Sequence, residues 1–176
     1  VYGETLIEPE MVLPENADCR RLPGIDGKAK MSKSLGNCIY LADSPEEIHK
    51  KVMSMFTDPD HIRVEDPGKV EGNTVFTYLD AFAKPEHFAE FLPEYSNLDQ
   101  LKAHYRKGGL GDVKIKKFLS KVLQSELKPI YERRLEWANR IPEVKEILRA
   151  GCIKAEKTAA ETLSSVRKAM QIDYFN

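Results

Sequence analysis

Apolar residues recur at helical spacing through most of the chain after residue 44. Residues three and four positions apart share one face of an α-helix, so each such series predicts a helix with one buried face. The last series predicts a helix from Glu143 to Met170. The residues that we expect to be buried on these faces are Ile48, Val52, Met55, Val75, Phe76, Leu79, Phe82, Phe88, Phe91, Leu92, Leu98, Leu101, Tyr105, Ile115, Phe118, Leu119, Val122, Leu123, Leu127, Val144, Ile147, Leu148, Leu163 and Val166. The pattern therefore predicts a mainly α protein.

Capping and helix-breaking residues indicate where these helices begin and end. The sequence Ser44-Pro45-Glu46-Glu47 is typical of a helix start, because it offers a serine cap, a first-turn proline and the glutamate of a capping box. Thr57-Asp58-Pro59 should stop this first helix, and Gly108-Gly109 should stop a later one. Asp112 begins a long helix, which Pro129 should kink or break.

The first 43 residues differ in character from the rest. Prolines and glycines separate short apolar pieces there, which is typical of loops with one or two short strands. The two apolar pieces are Met11–Leu13 and Ile39–Leu41. We therefore divide the chain into residues 1–43 and a helical domain of residues 44–176.

The composition is that of a globular protein. The chain has 176 residues, of which 41% are hydrophobic and 31% are charged, and its apolar stretches are too short to span a membrane. Cys19, Cys38 and Cys152 are widely spaced, which favours reduced thiols in a cytoplasmic protein. No secretory signal and no cysteine or histidine pair at metal-ligand spacing is present, so we expect neither membrane association nor a metal site in the chain.

Charge is unevenly distributed, although the formal net charge is only −1. Residues 41–100 contain 5 Lys/Arg and 13 Asp/Glu, whereas residues 101–134 contain 10 Lys/Arg and 3 Asp/Glu. A basic block of this kind suits contact with a phosphate backbone. A solvated helix face explains it equally well, so charge alone does not decide between the two.

One segment, Gly27 to Asn37, concentrates groups that bind anions. Lys28, Lys30 and Lys33 lie there with two serine hydroxyls, and glycines at both sides allow a tight or movable backbone. Lys30 and Lys33 are the best candidates to contact a polyphosphate. The glycine spacing is not that of a Walker loop, and on composition alone a solvent-exposed lysine loop is the commoner explanation.

The segment Lys30-Met31-Ser32-Lys33-Ser34 matches the lysine-serine signature of class I aminoacyl-tRNA synthetases in all five positions. Its surroundings resemble the tryptophanyl-tRNA synthetase family, strongly over residues 20–83 and more vaguely to the end. The similar stretches are Pro23-Gly24-Ile25-Asp26-Gly27, Leu35-Gly36-Asn37, Lys51-Val52-Met53-Ser54-Met55, Thr57-Asp58-Pro59, Asp66-Pro67-Gly68-Lys69-Val70-Glu71-Gly72-Asn73, Val75-Phe76 and Tyr78-Leu79.

This resemblance implies a fold and an activity. Residues 1–43 would be the C-terminal tail of a Rossmann-like α/β catalytic domain, and residues 44–176 a helical anticodon-binding domain. The activity would be ATP-dependent activation of tryptophan and its transfer to tRNA, with Mg²⁺ as a cofactor, in a cytoplasmic homodimer. The family's lysine loop closes over ATP, so Gly27 and Gly36 would be the pivots of this movement.

The resemblance also implies roles for the signature residues. Lys30 and Lys33 would be catalytic, because the family's loop lysines stabilise the pyrophosphate leaving group. Together with Met31, Ser32 and Ser34, they would form the ATP-binding loop.

Parts of the family pattern are absent from this sequence. It contains no His-x-Gly-His motif, and the segment that recognises the indole ring lies upstream of the lysine loop in the family. We therefore expect a C-terminal fragment that is inactive alone. Another class I synthetase, such as a tyrosyl or methionyl enzyme, a non-catalytic tRNA- or protein-binding helical module, and a helical scaffold with a solvated lysine loop remain alternatives.

By the same resemblance, the basic face within residues 101–134 would contact the tRNA backbone. The candidate contacts are Lys114, Lys117, Lys121, Arg133 and Arg134. Tyr131 and Trp137 are candidates to stack on unpaired bases, although packing roles are commoner for such residues. Asp58, Arg63 and Asp66 are either tRNA contacts or, more commonly for such residues, turn and capping residues.

Overall fold

The computed structural model describes residues 2–3 and 5–174. Val1, Glu4, Phe175 and Asn176, and with them the outer ends of both predicted domains, lie outside the described residues. The α-helices are α1 (Pro45–Met53), α2 (Thr74–Phe82), α3 (Pro85–Phe91), α4 (Leu98–Lys107), α5 (Asp112–Ala138) and α6 (Ile141–Ala169), and short 3-10 helices span Ala17–Cys19 and Lys33–Leu35. The prediction of a mainly α protein is confirmed.

The described residues contain no β-strand, so the expectation of one or two short strands among the loops of the first 43 residues is wrong. Their only β-type pairing is an isolated antiparallel bridge between Pro23 and Lys30. A strand needs a hydrogen-bonded neighbour. Neither apolar piece has one, and an apolar run cannot supply that neighbour by itself.

The chain divides into two compact units. One consists of Leu13–Arg134, and the other combines residues up to Val12 with those from Leu135 onward, so the boundary falls inside α5. The division between residues 43 and 44 separates two predicted functional domains, not two compact units. It stays a prediction.

The hydrophobic core of unit 13–134 is built from the apolar faces of α1 to α5. Most of the predicted face residues of these helices are buried there, whereas Phe82, Phe91, Leu98 and Leu127 are partly buried and pack against the core. The side chains with 0% exposure are Val52, Val75, Phe76, Leu79, Leu101, Tyr105, Ile115, Leu119 and Val122. Each buried large aliphatic side chain contributes about 1.5–3 kcal/mol by removal from water.

The predicted start of α1 is confirmed. The Ser44 hydroxyl accepts a hydrogen bond from the Glu47 backbone N–H at 3.2 Å, and the Glu47 carboxylate accepts one from the Ser44 N–H at 2.8 Å. The helix ends at Met53, earlier than the predicted stop at residues 57–59. Tertiary contacts hold the chain after this point, because Met55 is buried and the Phe56 N–H bonds to the carbonyl of Ile25 at 2.9 Å.

Pro129 does not break α5, which runs continuously from Asp112 to Ala138. Proline removes the hydrogen bond that the carbonyl of Ser125 would accept in a regular helix. Ser125 and Pro129 are both exposed, so water can satisfy that carbonyl.

No residue of α6 is buried, so the prediction of a buried face there is wrong. Ile147 and Leu148 are 59% and 62% exposed, and Leu163 is 47% exposed. Helical periodicity predicts which residues share a face, but burial also needs a surface that covers this face. Of the predicted residues on this face, Val144 and Val166 are half-buried. None of the helices among them is long and apolar enough to cross a bilayer.

Candidate functional site

Residues 23–37, which include the lysine-rich segment, form a compact loop, the lysine loop. Its backbone folds back on itself. The Gly24 N–H bonds to the Ala29 carbonyl at 2.7 Å, and the Met31 N–H bonds to the Leu22 carbonyl at 3.4 Å. Gly27 has φ +68°, a conformation that residues with a Cβ rarely adopt. The sequence therefore needs glycine at this turn.

The five predicted signature residues, 30–34, lie in the part of this loop that is most exposed to solvent. Ser32 is the N-cap of the 3-10 helix Lys33–Leu35, and its hydroxyl lies 2.9 Å from that of Ser34. Gly36 ends this helix with φ +65°. Both predicted pivot glycines thus have positive φ, and their movement stays a prediction.

Lys30 and Lys33 are both exposed, and within the described residues neither forms an ion pair with a carboxylate. Their charges are therefore available to an external anion. Met31 and Ser32 are half-buried, and Ser34 is exposed. The structure brings all five predicted residues onto one short loop, where ammonium groups, hydroxyls and backbone donors can meet a phosphate.

Asn37 is a site residue for which the sequence suggested no role. Its side chain is almost completely buried, at 4% exposure, and forms hydrogen bonds within the loop. Its Oδ1 accepts from the Ser32 N–H at 2.8 Å, while its Nδ2 donates to Asp26 Oδ1 at 3.2 Å and to the Lys30 carbonyl at 3.4 Å. Hydrophobic periodicity gives no signal for a buried polar residue at the end of a loop.

One backbone hydrogen bond closes the base of this loop, and one side-chain hydrogen bond joins that base to the helical core. The Ile25 N–H bonds to the Asn37 carbonyl at 3.0 Å, and the Tyr78 hydroxyl on α2 donates to the Pro23 carbonyl at 2.7 Å. Burial raises the pKa of Tyr78 well above its usual value, with smaller contributions from Cys38 and Asp26. The phenol therefore remains a neutral donor, and the loop has a fixed base and an exposed signature.

Part of the predicted basic face lines one cavity of about 410 Å³. Lys114, Lys117 and Lys121 lie three and four residues apart on α5, which places them on one side of the helix. The residues lining this basic cavity are Val64, Phe91, Leu92, Gly111, Val113, Lys114, Lys117, Phe118 and Lys121. The cavity thus combines apolar walls with ammonium groups.

The α5 lysines differ in their surroundings. Lys114 Nζ pairs with Glu94 Oε1 at 2.6 Å, and this hydrogen bond raises the pKa of Lys114. Lys121 Nζ lies 5.7 Å from the centre of the Phe91 ring, within the range of a cation–π contact. Lys116 is half-buried and donates to the Met53 carbonyl at 3.2 Å, and burial lowers its pKa. Lys116 is therefore not part of the basic surface.

The other candidate tRNA contacts lie elsewhere. Arg133 and Arg134 are exposed on α5 and do not line the basic cavity, and Arg133 Nε donates to the Pro129 carbonyl. Tyr131 is half-buried. Trp137 is 37% exposed, and its ring lies 4.4 Å from the guanidinium carbon of Arg140.

The acidic candidates form turns. Asp58 is buried and accepts hydrogen bonds from the N–H groups of Asp60 and Lys69, at 3.0 and 2.8 Å. Asp66 accepts from the Arg63 N–H at 2.9 Å. These bonds support the turn-forming interpretation for Asp58 and Asp66. Their contact with tRNA stays a prediction. Across the described ranges, no group of three or more His, Cys, Asp or Glu side chains is placed to hold a metal ion.

A family model described as tRNA synthetases class I (W and Y) matches residues 2–128. Relatives similar to the chain include the tryptophan–tRNA ligase of Clostridium longisporum, 56% identical over 177 residues, which cover 100% of this chain and 49% of the relative. The tryptophan–tRNA ligase of Lactococcus lactis subsp. lactis (strain IL1403) is 55% identical over 174 residues, covering 99% of this chain and 49% of the relative. The chain thus spans about half the length of the curated relatives it matches.

Solved structures give a similar result. The chain resembles a crystal structure of tryptophanyl-tRNA synthetase from Campylobacter jejuni complexed with ADP and tryptophan, with a TM-score of 0.70 and 29% identity over 97% of this chain and 49% of that one. A second crystal structure from the same organism matches with a TM-score of 0.64 and 29% identity, covering 97% of this chain and 48% of that one.

Proposed function

This chain belongs to the family of class I tRNA synthetases specific for tryptophan and tyrosine, and we propose that it is part of a tryptophan–tRNA ligase. In this proposal the whole protein uses ATP to activate tryptophan and then esterifies tRNA with it. The similarity to tryptophan–tRNA ligases over the full length of the chain supports tryptophan rather than tyrosine.

The observation that carries the proposal is the exposed lysine loop on its fixed base. When the amino-acid carboxylate attacks the α-phosphate of ATP, a new phosphorus–oxygen bond forms and the bond to pyrophosphate breaks. Negative charge then grows on the leaving group. Lys30 and Lys33, which have no ion-pair partner among the described residues, are suited to stabilise that charge.

Met31, Ser32 and Ser34 complete the proposed ATP-binding loop, in which the serine hydroxyls supply donors, because the N–H groups of Met31 and Ser32 already bond to Leu22 and Asn37. Mg²⁺ would accompany ATP, bound through the phosphate oxygens. The described residues bring no cluster of metal ligands together, so we assign none of them to the metal and derive no step through it.

The helical region would bind the tRNA. The basic cavity supports this role, because phosphate groups can meet Lys114, Lys117 and Lys121 while an unstacked base can lie against Phe91. Arg133 and Arg134 would extend the contact along α5. The whole protein would act as a homodimer in the cytoplasm.

Amino-acid-dependent exchange between ATP and pyrophosphate tests the proposed activity. We would measure it for all twenty amino acids, with this chain and with the complete reading frame that contains it. Exchange with tryptophan by the complete protein, and none by the chain alone, is the expected result. Exchange only with another amino acid would contradict the proposed specificity, and no exchange by the complete protein would favour a non-catalytic binding module.

A further inference from the structure

We propose that Asn37 is a positioning residue that holds the backbone of the lysine loop in place for the reaction of the bound ATP. The effect on catalysis rests on the proposed function, whereas the hydrogen bonds of Asn37 are observed independently of it. One side chain contacts the loop at two backbone positions, the carbonyl of Lys30 and the N–H of Ser32, at 3.4 and 2.8 Å. Lys30 and Ser32 lie on either side of Met31, and Ser32 is the N-cap of the 3-10 helix that begins with Lys33.

The site requires the chemistry of an amide. Its oxygen must accept from Ser32, while its nitrogen must donate to Lys30 and to the carboxylate of Asp26. A carboxylate in this place keeps the acceptor, loses both donors and faces the negative charge of Asp26. An apolar residue of the same size leaves the N–H of the half-buried Ser32 and the carbonyl of Lys30 without these partners.

Close packing fixes the position of this amide. Gly24 lies so near that a Cβ added to it would come within 2.1 Å of Asn37 Nδ2. The Asn37 backbone carbonyl also accepts from the Ile25 N–H at 3.0 Å. The side chain therefore has little freedom, and the loop backbone that it contacts is fixed to the base that Tyr78 joins to α2.

Displacement of a catalytic group by about 1 Å can cost 10²-fold in rate. Loss of the Asn37 amide leaves the lysines present but releases the backbone that carries them. In the complete protein, Asn37→Asp should therefore lower kcat of tryptophan-dependent exchange at least 10-fold. The KM for ATP should change by less than about 3-fold, because the hydrogen bonds that this substitution removes position the loop and do not bind ATP.

A charge exchange separates this role from simple loss of folding. In the double variant Asn37→Asp with Asp26→Asn, the amide at residue 26 can donate to the carboxylate at residue 37. The hydrogen bond between these two side chains is thereby restored with donor and acceptor exchanged. The double variant should recover part of the kcat lost by Asn37→Asp. The control is Asn97→Ala, which removes the N-cap hydrogen bond from the Gln100 N–H, 3.0 Å long, at the start of α4. Loss of this cap should lower Tm, and Asn97 makes no hydrogen bond to the loop.

Trypsin cleavage within residues 28–33 of the complete protein supplies a readout that needs no activity. Asn37→Asp should accelerate this cleavage several-fold over Asn97→Ala, and the double variant should slow it again. Equal cleavage rates and equal kcat for Asn37→Asp and Asn97→Ala would overturn the proposal. If the unmodified complete protein performs no tryptophan-dependent exchange, the proposed function fails instead, and the cleavage rates alone decide whether Asn37 holds the loop.

Discussion

The Tyr78 hydroxyl donates a hydrogen bond to the backbone carbonyl of Pro23 at 2.7 Å, across 55 positions of sequence. Tyr78 lies on α2, within the hydrophobic core, whereas Pro23 begins the lysine loop. The phenol thus joins the rigid helical body to the base of a loop whose charged groups are exposed. The loop is fixed at its base by the same core that stabilises the helices.

Tyr78→Phe should loosen this base while leaving every loop residue unchanged. The carbonyl of Pro23 loses its donor, so the free energy of unfolding should fall by about 1 kcal/mol. Urea denaturation of this chain measures the change. Thr77→Ala serves as a neighbouring control on α2, because the Thr77 hydroxyl contacts the backbone of Asn73 and not the loop. Equal trypsin cleavage of the loop in both variants would contradict the proposed anchoring.

Lys30→Ala and Lys33→Ala should each lower kcat for tryptophan-dependent exchange in the complete protein by about 10²–10³-fold, which is the range for loss of one preorganised charge-stabilising donor. Steady-state exchange kinetics measure the effect. Lys28→Ala is the matched loop control, because it removes a nearby exposed charge that lies outside the five-residue signature. A similar loss in all three variants would argue for general electrostatic attraction of ATP instead of specific roles.

Lys117→Ala and Lys121→Ala should weaken tRNA binding by the complete protein. Loss of one phosphate contact reduces the slope of log affinity against log salt concentration by about 0.7–0.9. Binding isotherms at several salt concentrations measure the slope. Lys157→Ala, at an exposed position of α6, is the control of equal charge change. If all three variants behave alike, the basic cavity does not contact tRNA.

Alkaline pH should destabilise unit 13–134 through two buried phenols. Burial raises the pKa of Tyr78, and burial together with the hydrogen bond to Asp112 raises the pKa of Tyr105. Both pKa values are higher in the folded than in the unfolded chain, so the stability that the neutral phenols contribute is present below about pH 10 and is lost as the pH rises above it.

Urea denaturation of this chain at pH 8 and pH 11 measures that loss. Tyr105→Phe should reduce the difference in unfolding free energy between the two pH values. Tyr2→Phe should leave the difference unchanged, because Tyr2 is 59% exposed. A difference that Tyr105→Phe does not alter would show that other groups cause the alkaline loss.

Ser44→Ala should lower the free energy of unfolding by about 1 kcal/mol, because the hydroxyl no longer accepts from the Glu47 N–H at the start of α1. Chemical denaturation measures the change. Ser54→Ala, which removes a hydroxyl bonded to the Lys51 carbonyl after the helix, is expected to cost less. The reverse order would contradict the role of the capping box.

The sequence predicted local features well where a local cause is sufficient. Ser44 and Glu47 form the capping box because both partners lie within one helical turn. Gly108 ends α4 with φ +89°, a conformation for which glycine has no steric penalty. Helix α1 ends at Met53, earlier than expected, because the Phe56 N–H bonds to the Ile25 carbonyl instead of continuing the helix. No local sequence pattern indicates that contact.

By itself, the sequence determined the helical periodicity, the cap at Ser44 and the placing of Lys30 and Lys33 within one short loop. Such features depend on residues that are neighbours along the chain. The tertiary structure alone decided that Asn37 bonds to the loop, that Lys116 turns inward to Met53 and that the apolar stripe of α6, including Leu148, remains exposed. Burial and long-range hydrogen bonds depend on which surfaces meet, and hydrophobic periodicity indicates only that a helix has such a surface.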